Sequence, residues 1–592
     1  MATLVDWLAR AATSDDTGLR ILDRRETETW LSWSQIGLRA RRVADRLQAL
    51  GIEPGDRIGL LFPTSAGFVD AFFGTLLAGA VPVPLYPPVR LGRLEEYHAV
   101  TSRALAAVEA RLVLCARRVR SLLGESIVRA RPPLGCLTLE ELPRAATGRE
   151  VQVAEDDLGL IQFSSGTTVD PKPVALSHRA LTAQTLALNS FWPEAADMRH
   201  SGVSWLPLYH DMGLVGCIFP ALERPGTLTL IPPELFVARP AAWLRAISRH
   251  RATISPAPNF AYGLCVEKID DVELEGVELG SWRVALNGAE AVAPSVLRAF
   301  IDRFAPFGFN AAALTPVYGL SEASLAVTFA DLALPFTSHR FSRESLGGGR
   351  RVELERDGLE LASVGKPLPG FAIQVRDEDG TPLDEDRIGR LWVKGPSLMD
   401  GYYLRPEKTA EVLVDGWLDT GDLGFVHAGE LYLTGRAKDL IIHRGRNYPP
   451  EQVEQLVDGQ PGVRTGCLAA VAYADESLGR ERILLFVETA GDATPQQIDE
   501  LPSLLSDRVF AGCGLEVDEV HLLEPGTLAR TSSGKISRSR SLSRFLAGEL
   551  TAPSRVGFLG LATEMLRSRA ALSRSKRPAE TADETTSGRP EL

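Results

Sequence analysis

The sequence predicts an α/β chain of at least two domains, and three features carry that reading. Its 592 residues exceed what one compact hydrophobic core holds. In the N-terminal part, short apolar runs alternate with helical patterns, as layered parallel sheets require. Past residue 360 the texture shifts to hairpin-like strands and then to a shorter α/β unit.

The elements follow in chain order. DRIGLLFP at 56–63 reads as a strand, SAGFVDAFFGTLLAGA at 65–80 as a helix, and VPVPLY after it as a second strand. ARLVLCA at 110–116 is another strand. FAIQVRDEDGTPLDEDRIGRLWVKG reads as a hairpin around Asp379-Gly380. A helix is expected from near Pro450, and 463–523 reads as strand, helix, strand. The smaller domain then begins near residue 438. Past 548 the chain becomes polar and loses apolar spacing, which predicts a disordered tail.

Composition narrows the function. A net charge of −12 argues against a general nucleic-acid binder, although a local basic pocket for a nucleotide stays open. The cysteines at 115, 136, 217, 265, 467 and 513 form no C-x-x-C pair. They read as reduced, buried thiols of a cytoplasmic protein, not a zinc or redox motif. The start, MATLVDWLARAATSDD, has no basic segment followed by an apolar run, so no secretory signal is expected. The most apolar segment, AFFGTLLAGAVPVPLYPP, is broken by Gly and Pro and falls short of a membrane span.

The chemistry-bearing stretch is LIQFSSGTTVDPKPVALSH, residues 160–178. An apolar strand runs into Ser164, Ser165, Gly166, Thr167 and Thr168, with Lys172 just beyond. Glycine lets backbone N–H groups approach an anion, hydroxyls donate, and lysine adds a point charge. The spacing is not that of a Walker A loop. Taken alone, a plain turn explains the stretch equally well. Further motifs follow: SWLPLYHDMGLVG (204–216), NGAEAV (287–292), PVYGLSEASLAVT (316–328), GWLDTGDLG (416–424), YLTGRAKDLIIHRGRNYPPEQVE (432–454) and RTSSGKISR (530–538).

In this order, the set resembles the adenylate-forming superfamily of acyl-CoA synthetases, peptide-synthetase adenylation domains and luciferases, over roughly residues 5–545. Within it the wording is most similar to fatty acyl-AMP ligases. The resemblance implies a large adenylate-forming N-terminal domain (1–437), a small mobile C-terminal α+β domain (438–547) and a tail (548–592). It implies ATP and Mg²⁺ as cofactors. It also implies activation of a fatty acid to acyl-AMP, and an acyl carrier protein as the partner that accepts the acyl group.

The resemblance also assigns roles. Ser164, Ser165, Gly166, Thr167, Thr168 and Lys172 would cradle the β- and γ-phosphates. Gly288, Ala289 and Glu290 would line the adenine pocket, with Tyr318, next to Gly319, stacked on the ring. Ser321 would touch the α-phosphate and Glu322 would hold Mg²⁺. Asp422 and Arg436 would bind the ribose, Lys438 would be the hinge, and Lys535 the catalytic lysine. His210 would lie beside the carboxylate and gate the acyl tunnel. These residue types suit the reaction: a carboxylate must attack the α-phosphate, and a lysine and Mg²⁺ neutralise charge on the attacking and leaving oxygens. Singly, each has a bland alternative. Glu322 could cap a helix, Asp422 could sit in a turn, Arg436 could form a surface ion pair, and Lys535 could be solvated.

Two features qualify the resemblance. Val169 and Pro173 stand where acyl-CoA synthetases carry glycine, and Pro173 neither donates a backbone hydrogen bond nor varies φ. The segment 336–364 resembles the insertion typical of fatty acyl-AMP ligases, held to hinder the domain rotation that CoA use needs; a solvated surface loop is the alternative. Phe236, Trp243, Phe260 and Tyr262 are candidates for an acyl tunnel or for plain core. The basic run Arg436, Lys438, Arg444 and Arg446 suits either a carrier protein or CoA. Alternatives are an acyl-CoA synthetase, a non-catalytic nucleotide- or acyl-binding scaffold, and an amino-acid activator, for which Asp211 would have to greet an ammonium group.

Overall fold

The computed structural model describes residues 2–88, 93–164, 172–192, 200–346, 351–443, 446–475, 480–491, 493–531, 535–553 and 565–568. Two parallel sheets with helices packed on them make up most of the N-terminal part. The larger has nine strands. Its inner strands lie in the spatial order Leu314–Gly319, Val284–Asn287, Ile254–Ala257, Ser201–Ser204, Thr227–Leu230 and Gly18–Leu22, all parallel. Antiparallel strands close its edges, Ala326–Phe329 and Lys366–Pro367 on one side and Glu28–Ser32 on the other.

The second parallel sheet orders Val81–Pro84, Arg57–Leu61, Leu112–Cys115 and Cys136–Leu137. The helix joining its first two strands in sequence, Ala66–Leu77, begins at Ser65, whose hydroxyl accepts from the Phe68 N–H. Nearly every residue of this helix is buried, as expected of one apolar on all sides. It packs on the helix Trp33–Ala49 so closely that a Cβ on Gly74 would come 2.5 Å from Val43. The buried Asp70 is held by Arg39, Nε to Oδ1 2.8 Å.

Smaller sheets lie around these two. Leu158–Phe163 and Pro173–Ser177 pair, and Gly401–Tyr402 adds a third strand from far along the chain. Pro173 opens its strand, a position where a missing N–H costs no ladder bond, and its carbonyl accepts from Tyr403 N at 2.8 Å. The expected hairpin forms from Ala372–Arg376 and Gly389–Lys394, and Trp417–His427 and Glu430–Arg436 extend its sheet. The smaller C-terminal domain is built on Val463–Asp475, Arg480–Thr489 and Glu519–Leu523, with the helices Pro450–Val457, Pro495–Cys513 and Arg538–Leu546. The strand, helix, strand reading of 463–523 therefore missed a strand. Arg480–Thr489 pairs antiparallel with Val463–Asp475 before the helix begins.

The predicted tail lies largely outside the described residues. Within it, the helical turn 565–568 rests on the N-terminal part, where Gly124 N–H donates to Ser568 Oγ at 2.7 Å. All six cysteines are free, with Cys115 and Cys136 Sγ 3.4 Å apart. Among the described residues no helix is long and apolar enough to cross a membrane.

The described residues of 336–364 are packed. The strands Ser338–Phe341 and Leu359–Ala362 pair antiparallel, and Phe341, Leu346 and Leu359 bury against Phe425 and Tyr432. His339 Nδ1 lies 2.8 Å from Tyr432 OH, and Arg298 pairs with Glu360. The solvated-loop alternative does not describe such a segment. Removing the Phe341 ring should cost about 3 kcal/mol, as large-to-small core changes do. Phe341→Ala is therefore expected to lower the denaturant midpoint and to open 336–364 to limited proteolysis. An unchanged midpoint and cleavage pattern would mean that the segment is not anchored.

Candidate active site

A cavity of about 320 Å³ opens where the inner parallel strands of the large sheet end. Carboxyl ends of such strands are where open α/β sheets hold ligands. Two glycines make the approach possible there. A Cβ on Gly288 would come 2.8 Å from the Val317 carbonyl oxygen, and one on Gly319 would collide with the Leu325 carbonyl. Ala289 holds a left-handed φ of +69° in the same turn, a strained conformation of the kind found at ligand sites.

One wall is a relay. Lys172 Nζ lies 3.3 Å from Tyr402 OH, and that hydroxyl donates to Glu322 Oε1 at 2.9 Å. Burial pushes the Glu322 carboxyl up; its own backbone N–H, Tyr402 and Lys172 pull the other way. Burial, reinforced by Glu322, also pushes the Tyr402 phenol up, so it stays a donor.

A second relay also lines the cavity. Tyr318 OH donates to Asp422 Oδ2 at 2.7 Å, and Arg436 Nε lies 3.1 Å from Asp422 Oδ1. Asp422 and Arg436 face each other across adjacent antiparallel strands, so sheet register fixes the pair. Burial pushes the Asp422 carboxyl up against the pull of Arg436.

Asp211 lines the cavity as well. Its Oδ1 accepts from Met212 N at 2.7 Å and lies 2.5 Å from His210 Nδ1, while Ser321 Oγ donates to Oδ2. Burial alone would raise this carboxyl. His210, the Ser321 hydroxyl and Lys535 outweigh it and hold the group down at about 2.

The small domain closes the cavity. Lys535 and Lys438 both line it. Lys535 is held where Arg530 bridges Ile536 and Thr531 N donates to the Lys535 carbonyl at 2.8 Å. Burial pushes its ammonium down, Glu290, Asp211 and Asp422 oppose that, and Arg436 adds to it. Lys438 lies in the short turn Ala437–Asp439 directly after Arg436. Away from the cavity, Arg93 Nη2 donates to the Thr527 and Thr551 carbonyls at 3.0 and 3.1 Å, and Arg544 pairs with Glu96.

The sequence-predicted residues thus largely converge. Ser164, Lys172, His210, Ala289, Tyr318, Gly319, Ser321, Glu322, Arg436, Lys438 and Lys535 line the cavity, with Asp422 held against it. Of the trio expected at adenine, only Ala289 does so. Gly288 lies behind it, and Glu290 Oε1 instead accepts from Phe260 N at 2.6 Å, at the start of the helix Asn259–Lys268. Ser165, Gly166, Thr167, Thr168 and Arg444 lie outside the described residues. The aromatic candidates separate from the cavity: Phe236, Trp243 and Tyr262 are fully buried in a core with Trp205 and Trp282, and Phe260 is partly exposed at its edge. Tyr402 went unnoticed in the sequence; GYY at 401–403 lies outside every motif, and only strand pairing brings it beside Lys172.

Residues 9–403 match the family described as AMP-binding enzyme. The chain belongs to that family. A Caulobacter vibrioides relative, named provisionally as an acyl-CoA synthetase, is 36% identical over 92% of this AMP-binding chain and 96% of its own length. A Mycobacterium marinum 4-hydroxyphenylalkanoate adenylyltransferase is 34% identical over 88% of this chain and 86% of its own. The Moorena producens medium-chain-fatty-acid–[acyl-carrier-protein] ligase JamA is 33% identical over 88% and 90%. Among solved structures, one from a study of fatty acyl-adenylate ligases of E. coli and L. pneumophila superposes with a TM-score of 0.85. It is 33% identical, and the match covers 93% of this chain and 98% of that one.

A Lys535 ammonium that serves the reaction from this cavity has a kinetic signature, because burial lowers its affinity for the proton. The charged form is lost as pH rises, and it is lost below the ordinary lysine value of 10.5. Pyrophosphate release is therefore expected to fall on the alkaline side beneath that value. Lys535→Arg, whose guanidinium keeps its proton, should move the fall to higher pH in whatever activity remains. An alkaline limb identical in the two proteins would remove Lys535 from this role.

Proposed function

We propose that this AMP-binding enzyme is a fatty acyl-AMP ligase. A fatty acid carboxylate oxygen bonds to the α-phosphorus of ATP, the bond to the β-phosphate's bridging oxygen breaks, and pyrophosphate leaves. The phosphopantetheine thiol of an acyl carrier protein then attacks the acyl-adenylate carbonyl, and AMP leaves with the bonding pair. The observation that carries this reading is Lys535. A lysine from the small domain lines a cavity formed chiefly by the large domain, among Asp211, Ser321, Glu322 and the Tyr318–Asp422–Arg436 relay. An anion attacking an anion needs such a fixed cation.

The remaining roles follow from position. Lys172, with Ser164 beside the strand end, supplies charge and donors for the departing phosphates. Ser321 faces the α-phosphate with its hydroxyl oriented by Asp211. Asp422 keeps acceptor capacity for ribose hydroxyls beyond its bonds to Tyr318 and Arg436. His210, its Nδ1 tied to Asp211, presents its other ring edge toward the acid. Among the described residues no group of three or more ligating side chains is gathered for a metal. Mg²⁺ suits the site nonetheless, because it typically takes one or two carboxylates plus substrate phosphates and water. Glu322 would be that carboxylate, and a dication there would draw down its raised pKa and neutralise charge on the phosphates. Lys438, in the turn after Arg436, is the proposed hinge, with 1–437 and 438–547 as the moving units.

JamA's name and the fatty acyl-adenylate ligase neighbour support a fatty acid and a carrier-protein acceptor. So does the anchored segment 336–364. The name of the C. vibrioides relative keeps CoA as the second acceptor to test. Incubation with ATP, Mg²⁺ and mixed fatty acids, with and without CoA, followed by mass spectrometry, separates the two. Acyl-adenylate that persists in the presence of CoA is the expected result. Acyl-CoA in its place would make the chain a CoA synthetase, and no adenylate in either tube would overturn the fatty acid reading.

A further inference from the structure

A second, smaller cavity of about 60 Å³ lies behind the first, and the two share Trp192, Gly216 and Pro256. These residues meet where the large sheet parts. The strands Ile254–Ala257 and Ser201–Ser204 register through a single pair, Ile254 with Gly202. Pro256 has no N–H to extend that ladder, and the Ser255 hydroxyl instead donates to the Val203 carbonyl at 2.5 Å. Gly216 sits in a π-turn, Leu214–Ile218, a wide-turn irregularity common at functional sites. A Cβ there would come 2.8 Å from Leu325 Cδ2.

Trp192 is the partition. It is buried at the end of the helix His178–Phe191, edge-on to Phe329 at 5.9 Å. Its indole N–H donates to Asn189 Oδ1 at 3.3 Å, which pins the ring. The rear cavity is walled by Val203, Cys217, Ala221, Leu228 and Ile254. Polar side chains also line it, together with Ser201 and Thr227: Asn189 Nδ2 donates to Glu223 Oε2 at 2.7 Å, Arg224 donates to the Trp192 carbonyl at 3.4 Å, and His200 Nδ1 lies 3.1 Å from Thr253 Oγ1. Cys217 donates to the Met212 carbonyl, and burial pushes its thiol up to about 12, so it offers alkyl-like surface and no nucleophile.

We infer that the far end of the acyl chain enters this rear cavity, and that Trp192 and Gly216 set the length of acid the enzyme accepts. The inference rests on the fatty acid reading above. It also narrows that reading: a rear space this small, behind a front cavity that must hold the adenylate, suits an unbranched alkyl chain of medium length. The acid's carboxylate stays beside His210, and its terminal carbons pass Trp192 toward Leu228.

The test is adenylate formation across a ladder of saturated straight-chain acids, from butyric to stearic, by wild type, Trp192→Ala and Gly216→Val. Removing the indole should move the optimum to longer acids and raise their kcat/KM relative to the wild-type optimum by about tenfold. A valine at 216 should move the optimum to shorter acids by blocking the same passage. The second variant keeps the test decisive if the first folds poorly. Equal losses for every acid, with the optimum unmoved in both, would make these residues structural and overturn the inference. If wild type forms no adenylate from any of these acids, the fatty acid reading itself fails, and this inference fails with it.

Discussion

The site depends on placing one lysine ammonium in a partly dehydrated cavity formed chiefly by the other domain. Leaving water disfavours the charged form of Lys535, and the carboxylates of Glu290, Asp211 and Asp422 offset that penalty while Arg436 adds to it. The carboxylates belong to the large domain and the lysine to the small one. The electrostatics of the cavity and the closure of the two domains are therefore one balance. The Arg544–Glu96 pair and the bonds from Arg93 act at the rim of the same closure.

Around that lysine, hydroxyls connect charges that would otherwise repel or go unpaired. Tyr402 stands between Lys172 and Glu322, Ser321 meets Asp211, and Tyr318 meets Asp422. Each hydroxyl fixes a carboxylate that burial would push toward protonation. Each relay holds an acid and a cation together, Glu322 with Lys172 and Asp422 with Arg436, so neither sign is left alone in the cavity wall.

Much of this was legible in the sequence, because the chemistry resides in turns at strand ends and such turns leave compositional marks. Tyr318 through Glu322 follow directly from one strand, and Asp422 and Arg436 from two neighbouring ones. What escaped depends on pairings distant in the chain. Tyr402 reaches Lys172 only because 401–402 adds to the strand starting at Pro173. Glu290 was placed at the adenine by its motif, yet its carboxylate caps the Phe260 N–H, a partner that local sequence cannot reveal. The aromatics of 230–262 have the composition of either a tunnel wall or a core. Those rings interlock with one another as core, and the open volume lies instead at Trp192 and Gly216, where two parallel strands part. A parting of strands has no signature beyond a single proline.

On the proposed function, the closed arrangement, with Lys535 in the cavity, is the one that makes the adenylate. A reversible disulfide across the rim tests it most directly: Glu96→Cys with Arg544→Cys, oxidised to lock the small domain against the large one. Pyrophosphate release with ATP and a fatty acid, measured in the locked and reduced states, decides the matter. The locked enzyme should form acyl-adenylate in its first turnover as fast as the reduced enzyme. If locking abolishes that turnover and reduction restores it, the closed arrangement is not the catalytic one, and Lys535 acts elsewhere.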